Sequence, residues 1–199
     1  IKHFYNRYEF NLLFTYDELF GVNSARIIEW CQKITELKEK EHMDFVWTCG
    51  LRVDNIDKIP LREMKESGCA FIGYGIESGS QRALDSMKKH ITVGQIAHTI
   101  DLTNKAGIGI QGNFIYGDPA ETPETMQETI DFWNKNNCQD LMLSMGHINP
   151  YPGSELFEHC EKQGIIPDKT KYYEKVAQLP LVAQINMTKM PNRIFFQTI

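Results

Sequence analysis

Five short apolar runs in this 199-residue chain each end in groups that can bind a ligand. The run 11–15 leads into Asp17 and Glu18, and the run 45–49 into Arg52. The run 69–76 leads into Glu77 and Ser78, 108–116 into Gly117, Asp118 and Glu121, and 141–148 into Asn149 and Tyr151. A carboxylate directly after a buried strand is costly unless its charge or its acceptors are used, which singles out Glu77. Gly73 and Gly75 in the preceding run let a ligand or another backbone come close. Each position also has a plainer explanation. Asp17 and Glu18 suit a solvated loop, Arg52 a surface ion pair, Glu121 the positive end of the next helix, and Tyr151-Pro152-Gly153 a tight turn. The alignment of all five is the argument for a ligand-binding edge.

Other chemistries lack their signatures. No two of the five cysteines (Cys31, Cys49, Cys69, Cys138 and Cys160) have the spacing of a zinc or iron–sulfur site. The six histidines form no HExxH-type pattern, and only His147 lies near a strand end, where a structural role suits it better. There is no phosphate-binding P-loop, no nucleophile elbow and no complete dinucleotide fingerprint around Gly73 and Gly75.

The elements that must position these groups follow from periodicity. Between the apolar runs lie amphipathic stretches with caps: Asn23 or Ser24, Ser80, Thr92, Thr122 with Pro123, and Ser154 open helices, and Gly68, Gly107 and Gly164 close them. The inward stripe of the helix after Pro123 is expected to be Met126, Ile130 and Trp133. A β-α unit repeated five times, without strict alternation in its strands, predicts an α/β fold with a parallel sheet covered by helices. Parallel sheets of this kind bind ligands at the C-terminal edge, where the five clusters gather. Beyond Pro167 no clean period remains, and a partly extended segment is expected there.

Composition sets the outer bounds. With 42% hydrophobic and 24% charged residues the chain has the make-up of a soluble globular domain. A net charge of −5 gives no electrostatic reason to expect nucleic acid, and no apolar run is long enough for a membrane span. The dispersed, odd-numbered cysteines point to a reducing compartment, the cytoplasm. The chain opens on Ile1 and is expected to be part of a longer polypeptide.

Taken in order, Phe14 to Phe20 (FTYDELF), Arg52-Val53-Asp54, Gly75 to Ser80 (GIESGS), Phe114 to Thr122 (FIYGDPAET) and Pro150 to Ser154 (PYPGS) resemble the radical S-adenosylmethionine (radical SAM) superfamily. The branch they resemble is often fused to an N-terminal cobalamin-binding domain. The resemblance runs from about Phe10 to Lys162. It implies a partial TIM-type (β/α)6 barrel whose strands two to six are present here. Residues 1–166 would form the barrel without its first βα unit, and 167–199 a C-terminal extension packed on the barrel or partly irregular. It also implies reductive cleavage of SAM at a [4Fe–4S] cluster to give a 5′-deoxyadenosyl radical.

On this resemblance Asp17 and Glu18 meet the methionine amino group, and Arg52 pairs with the methionine carboxylate. Glu77 and Ser78 lie near the ribose and methionine, Gly117 to Glu121 lie against the adenine, and Tyr151 closes the adenine side. Two departures stand out. The CxxxCxxC loop that carries the cluster is not in this sequence, so the cluster would be ligated by residues outside the chain, any cobalamin would sit in a further domain, and the chain alone is expected to be inactive. Ala120 stands where the strand-five motif usually has glycine. The substrate, small molecule or macromolecule, and the reaction type are not implied. Two other readings remain open: a non-catalytic half-barrel scaffold or binding module, and a metal-dependent barrel lyase.

Overall fold

The computed structural model describes residues 1–17, 20–136, 141–178 and 185–197. Five strands form one sheet in sequential order, β1 (Leu12–Thr15), β2 (Val46–Leu51), β3 (Cys69–Glu77), β4 (Gly109–Tyr116) and β5 (Leu141–His147). The strands are parallel, as the repeated β-α order demands. Leu12 pairs with Val46 and Thr15 with Cys49. A register shift between Trp47 and Thr48 then brings Thr48 opposite Phe71 and Leu51 opposite Tyr74. An unexpected helix, α1 (Lys2–Tyr8), precedes the first strand.

Contacts divide the chain into two compact units. The first comprises Ile1–Ile76, Ile91–Phe114 and Asn134–Ser144. It holds α2 (Ser24–Glu41), α3 (Lys58–Glu66) and α5 (Val93–Lys105). Asn23, not Ser24, caps α2 by accepting the Arg26 N–H at 2.9 Å. Thr92 and Gln95 close a reciprocal capping box on α5. One sheet face carries Trp47, Cys49 and Leu51 of β2 and Ile72, Tyr74 and Ile76 of β3, all buried. The buried residues Ile27, Cys31 and Ile34 of α2, Leu61 and Met64 of α3, and Ile96 and Ile100 of α5 fill the rest of this core. Two of its polar tips are paired, while Trp30 Nε1 and Thr15 Oγ1 are buried without a hydrogen-bond partner among the described residues. Trp47 Nε1 donates to Ser67 Oγ at 3.2 Å, and the Tyr74 and Thr103 hydroxyls share a bond of 2.9 Å. The strands β3 and β4 alternate between buried and half-buried positions, so only one sheet face is sealed. That alternation was weak in the sequence because glycines occupy several positions of the other face.

The second unit comprises Glu77–His90, Ile115–Trp133 and Met145–Ile199. It includes α4 (Gln81–Ser86), most of α6 (Pro123–Asn136) and α7 (Glu155–Lys162). Beyond Pro167 the described residues form α8 (Lys169–Gln178) and α9 (Asn192–Phe195), with an irregular stretch over 185–191. These helices have a core because Tyr172 joins Phe157, Cys160, Ile166 and Met187, and Phe195 joins Met126 and Met190. Tyr172 Oη also donates to the Pro150 carbonyl at 2.8 Å, tying α8 to the segment after β5. The expected stripe of α6 is rotated. Thr125, Met126 and Phe132 are buried, whereas Ile130 is 43% exposed. Gly79 explains the rotation: its side-chain-free backbone packs against Thr129 and Phe132, so α6 presents its threonines.

Candidate functional site

In the first unit the expected ligand groups already have partners. Asp17 pairs with Arg26. Arg52 forms a two-pronged bond to Asp54, with Nε–Oδ1 at 2.9 Å and Nη2–Oδ2 at 2.8 Å. That bond holds the guanidinium pKa above its usual value. Glu18 lies outside the described residues.

The second unit is built around Glu77. It ends β3 with φ 64°, the left-handed region. Glu9 and His42 share this conformation as helix C-caps, and Lys88 follows the C-cap of α4, where it is ordinary. Glu77 ends a strand, so the roughly 1–3 kcal/mol cost of such a backbone has no helix-stop purpose. Its carboxylate lies 2.5 Å from Lys89 Nζ, and both side chains are about four-fifths buried, at 18% and 22% exposure. This pair lies in a cleft of about 690 Å³ whose apolar lining includes Met87, Ile115 and Ile148. Lys88, at the same cleft, pairs with Glu155.

The other motif residues brace this cleft. Ser78 is buried, and its hydroxyl bonds to Thr129 Oγ1 at 2.9 Å and accepts the Ser80 N–H at 3.1 Å. Ser80 occupies the N-cap position but makes no side-chain cap bond, and its buried Oγ has no partner among the described residues. The turn 117–121 is held from within. Asp118 Oδ1 accepts from Ala120 N at 2.8 Å and from Ser86 Oγ at 2.6 Å, and Glu121 Oε2 accepts the Gly117 N–H at 2.5 Å. Gly117 has φ 100°, while Ala120 is not among the residues with positive φ, so alanine is accommodated there. Tyr151 is 61% exposed, with its carbonyl bonded to Ser154. His147 is structural: Nε2 meets the Ile185 carbonyl at 3.0 Å, and the ring packs on Tyr116 and Phe195. Among the described residues no group of three His, Cys, Asp or Glu side chains could hold a metal.

Burial raises the Glu121 carboxyl to about 7, the Gly117 N–H opposing and Asp118 adding to the rise. The folded state therefore binds a proton that the unfolded chain releases near pH 4.5. This contribution is fully present below pH 4.5 and is lost as the pH rises through 7. Glu121→Gln is expected to remove that slope. In denaturant titrations at pH 5 and pH 8 the parent should lose roughly 2 kcal/mol that the variant keeps.

Lys89 was missed from sequence. The signal was a Lys-Lys pair between α4 and α5, with Lys89 twelve positions after Glu77. Gln111 and Asn113 were missed as well; they are polar residues at alternate positions of β4, facing away from the sealed side.

A parallel sheet in sequential strand order, with helices between its strands, is the architecture of an α/β-barrel-type domain. The chain belongs to the radical SAM superfamily, whose family profile matches residues 18–133. It is 34% identical over 144 residues to an uncharacterized methyltransferase of Pyrococcus horikoshii, covering 72% of this chain and 30% of the relative. It is 29% identical over 169 residues to the bacteriochlorophyllide d C-8(2)-methyltransferase of Chlorobaculum tepidum, covering 83% and 35%. Among solved structures, the radical SAM methyltransferase TsrM of Kitasatospora setae, with cobalamin and a [4Fe-4S] cluster bound, superposes with a TM-score of 0.67 at 17% identity, covering 80% of this chain and 30% of that one. The cobalamin-dependent radical enzyme OxsB gives 0.55 at 20% identity, covering 83% and 24%. These likenesses show the partial (β/α) barrel fold. The chain spans about a third of the length of these curated relatives. No helix among the described residues is long and apolar enough to cross a membrane.

Proposed function

We propose that this chain is the SAM-binding core of a radical SAM enzyme of the cobalamin-associated branch, acting in the cytoplasm in methyl transfer or oxidation. The observation that carries this reading is the strained, salt-bridged Glu77 in its cleft. The methionine end of SAM is a zwitterion, and Glu77 with Lys89 is its mirror image. Lys89 takes the α-carboxylate, and Glu77 accepts from the α-ammonium and the ribose hydroxyls. A bound zwitterion thus replaces one salt bridge with two. Met87, Ile115 and Ile148 shield the adenosyl portion from water. Ser78, Gly117 and Glu121 act by holding the turns that present the cleft. Asp17, Glu18 and Arg52, and in the second unit Tyr151, are further candidate cofactor contacts on the strength of the sequence resemblance alone.

The cysteines described here do not fit an iron–sulfur cluster. Cys31, Cys49, Cys69 and Cys160 are buried, and burial pushes Cys31 and Cys160 up to about 11. Clusters are held by several convergent cysteine thiolates, and no group of three His, Cys, Asp or Glu side chains among the described residues is placed to hold a metal. A cluster held by residues outside this chain would supply the electron for reductive cleavage of SAM, and no catalytic step is assigned to the residues of this chain. Support for a cobalamin domain elsewhere in the polypeptide comes from the likeness to TsrM and OxsB. Two measurements test the reading. Calorimetry should show stoichiometric SAM binding by the full-length protein. Anaerobic reconstitution of the 199-residue chain alone should yield no stoichiometric iron and sulfide; a full cluster on this chain would overturn that part.

A further inference from the structure

The first unit carries a second concavity, separate in its residues from the Glu77 cleft. It is a basin of about 420 Å³ on the unsealed face of β1 to β4. Three features of its lining limit what it can hold.

The first is an aromatic wall. Phe14 and Tyr16 stack with ring centroids 5.9 Å apart and planes 21° apart, and Phe71 meets Phe14 edge-on at 6.0 Å. Phe14 is 48% and Tyr16 91% exposed, so these rings are not consumed by core packing. The second is a bare floor. Gly50 and Gly73 lie opposite each other on β2 and β3. Neither has positive φ. A Cβ at Gly50 would meet only the Gly73 carbonyl, at 3.8 Å, and one at Gly73 would meet Asn113 Nδ2 at 3.6 Å and the Cys49 carbonyl at 3.8 Å. These are ordinary contacts, so neither backbone conformation nor packing calls for glycine. What the two glycines preserve is a flat, side-chain-free surface open to a ligand. The third is a neutral polar edge. Gln111 Nε2 donates to Asn113 Oδ1 at 3.0 Å, which leaves the Gln111 carbonyl as acceptor and the Asn113 amide as donor side by side. Among the described lining residues there is no lysine, arginine or histidine, and the one acid, Asp17, is paired with Arg26.

We propose that this basin is the substrate subsite, and that it takes a planar, uncharged heteroaromatic ring with an amide-like donor–acceptor edge. The ring lies on the backbone of Gly50 and Gly73, stacks against Phe14 and Tyr16, and reads its edge against Gln111 and Asn113. A phosphate- or carboxylate-bearing head would find no counter-charge, and a bulky saturated group would waste the flat floor. The proposal rests on the reading of the chain as a radical SAM core, which makes the ligand here a substrate.

The test uses the full-length protein and 4-quinazolinone, a neutral bicyclic lactam, as probe, with SAM titrated in parallel. Calorimetry should show saturable binding of the probe. Gly50→Leu, which covers the floor, should weaken it at least tenfold, and Gln111→Leu about tenfold, with SAM affinity and melting temperature unchanged within error. Equal affinity for the probe in parent and both variants, or no binding by the parent, overturns the subsite. Loss of SAM binding in a parent that still binds the probe overturns the SAM reading and leaves the ring-binding site standing. Gly50→Ala, smaller still, gives the same comparison should the leucine variant not fold.

Discussion

Replacing Glu77 with alanine should weaken SAM binding by the full-length protein roughly 10- to 100-fold, the worth of one charge-assisted hydrogen bond in a largely buried site. Two effects add. The ligand loses an acceptor for its ammonium and hydroxyls, and Lys89 loses its partner at 2.5 Å. The backbone gives an internal control. Glu77 sits at φ 64°, where a Cβ costs about 1 kcal/mol and glycine is at ease. Glu77→Gly should therefore be about 1 kcal/mol more stable than Glu77→Ala in denaturant titration while losing SAM binding to the same extent. Greater stability without recovered affinity would mean that the strain serves the carboxylate's position. If both variants bind SAM like the parent, Glu77 has no contact with it.

The second large effect is expected at Gly79. An added methyl would lie 2.5 Å from Phe132 Cβ and 2.8 Å from Thr129 Cα, and the latter is backbone that cannot swing aside. Helix α6 must retreat, and with it goes Thr129 Oγ1, which receives the Gly79 N–H at 3.1 Å and bonds Ser78 Oγ at 2.9 Å. Overpacking together with the loss of two partly buried hydrogen bonds should cost about 3 kcal/mol. SAM affinity should fall as well, because the turn that carries Glu77 is anchored there. Thr129→Val, which keeps the volume and removes the hydroxyl, should produce a smaller loss of stability in the same denaturant titration. A Gly79→Ala variant with unchanged stability would show that α6 is not the anchor of this turn.

The strands and their order were legible because short apolar runs capped by polar clusters have few other solutions. The caps Asn23, Thr92 and Ser154 were legible for a similar local reason: a side-chain oxygen three residues before a free N–H. Tertiary effects were not legible. The face of α6 is set by Gly79, fifty residues away, which draws Thr129 inward and leaves Ile130 outside. At the start of α4 the hydroxyl that binds the turn is Ser78, while Ser80 only occupies the cap position. The helicity of α8 was hidden because Tyr172 and Val176 pack on Phe157 and Cys160, a pairing of distant segments that local periodicity does not reveal.

The positions of the candidate residues past the strands were legible for the same reason as the strands themselves. Their individual roles depend on partners that spacing does not disclose. Glu121 reads like a ligand acid, yet its carboxylate returns to the Gly117 N–H. Arg52 finds Asp54 two residues on. Lys89, without a motif of its own, becomes prominent only because it meets Glu77.

In the proposed function, Glu77 and Lys89 receive the amino-acid end of SAM. The direct measurement compares SAM with 5′-methylthioadenosine, which keeps the adenosine and lacks the zwitterion, in calorimetric titrations of the full-length protein and its Lys89→Met variant. The parent should prefer SAM by roughly 100-fold, and the variant by less than about tenfold, with affinity for methylthioadenosine unchanged. An undiminished preference for SAM in Lys89→Met would contradict the assignment.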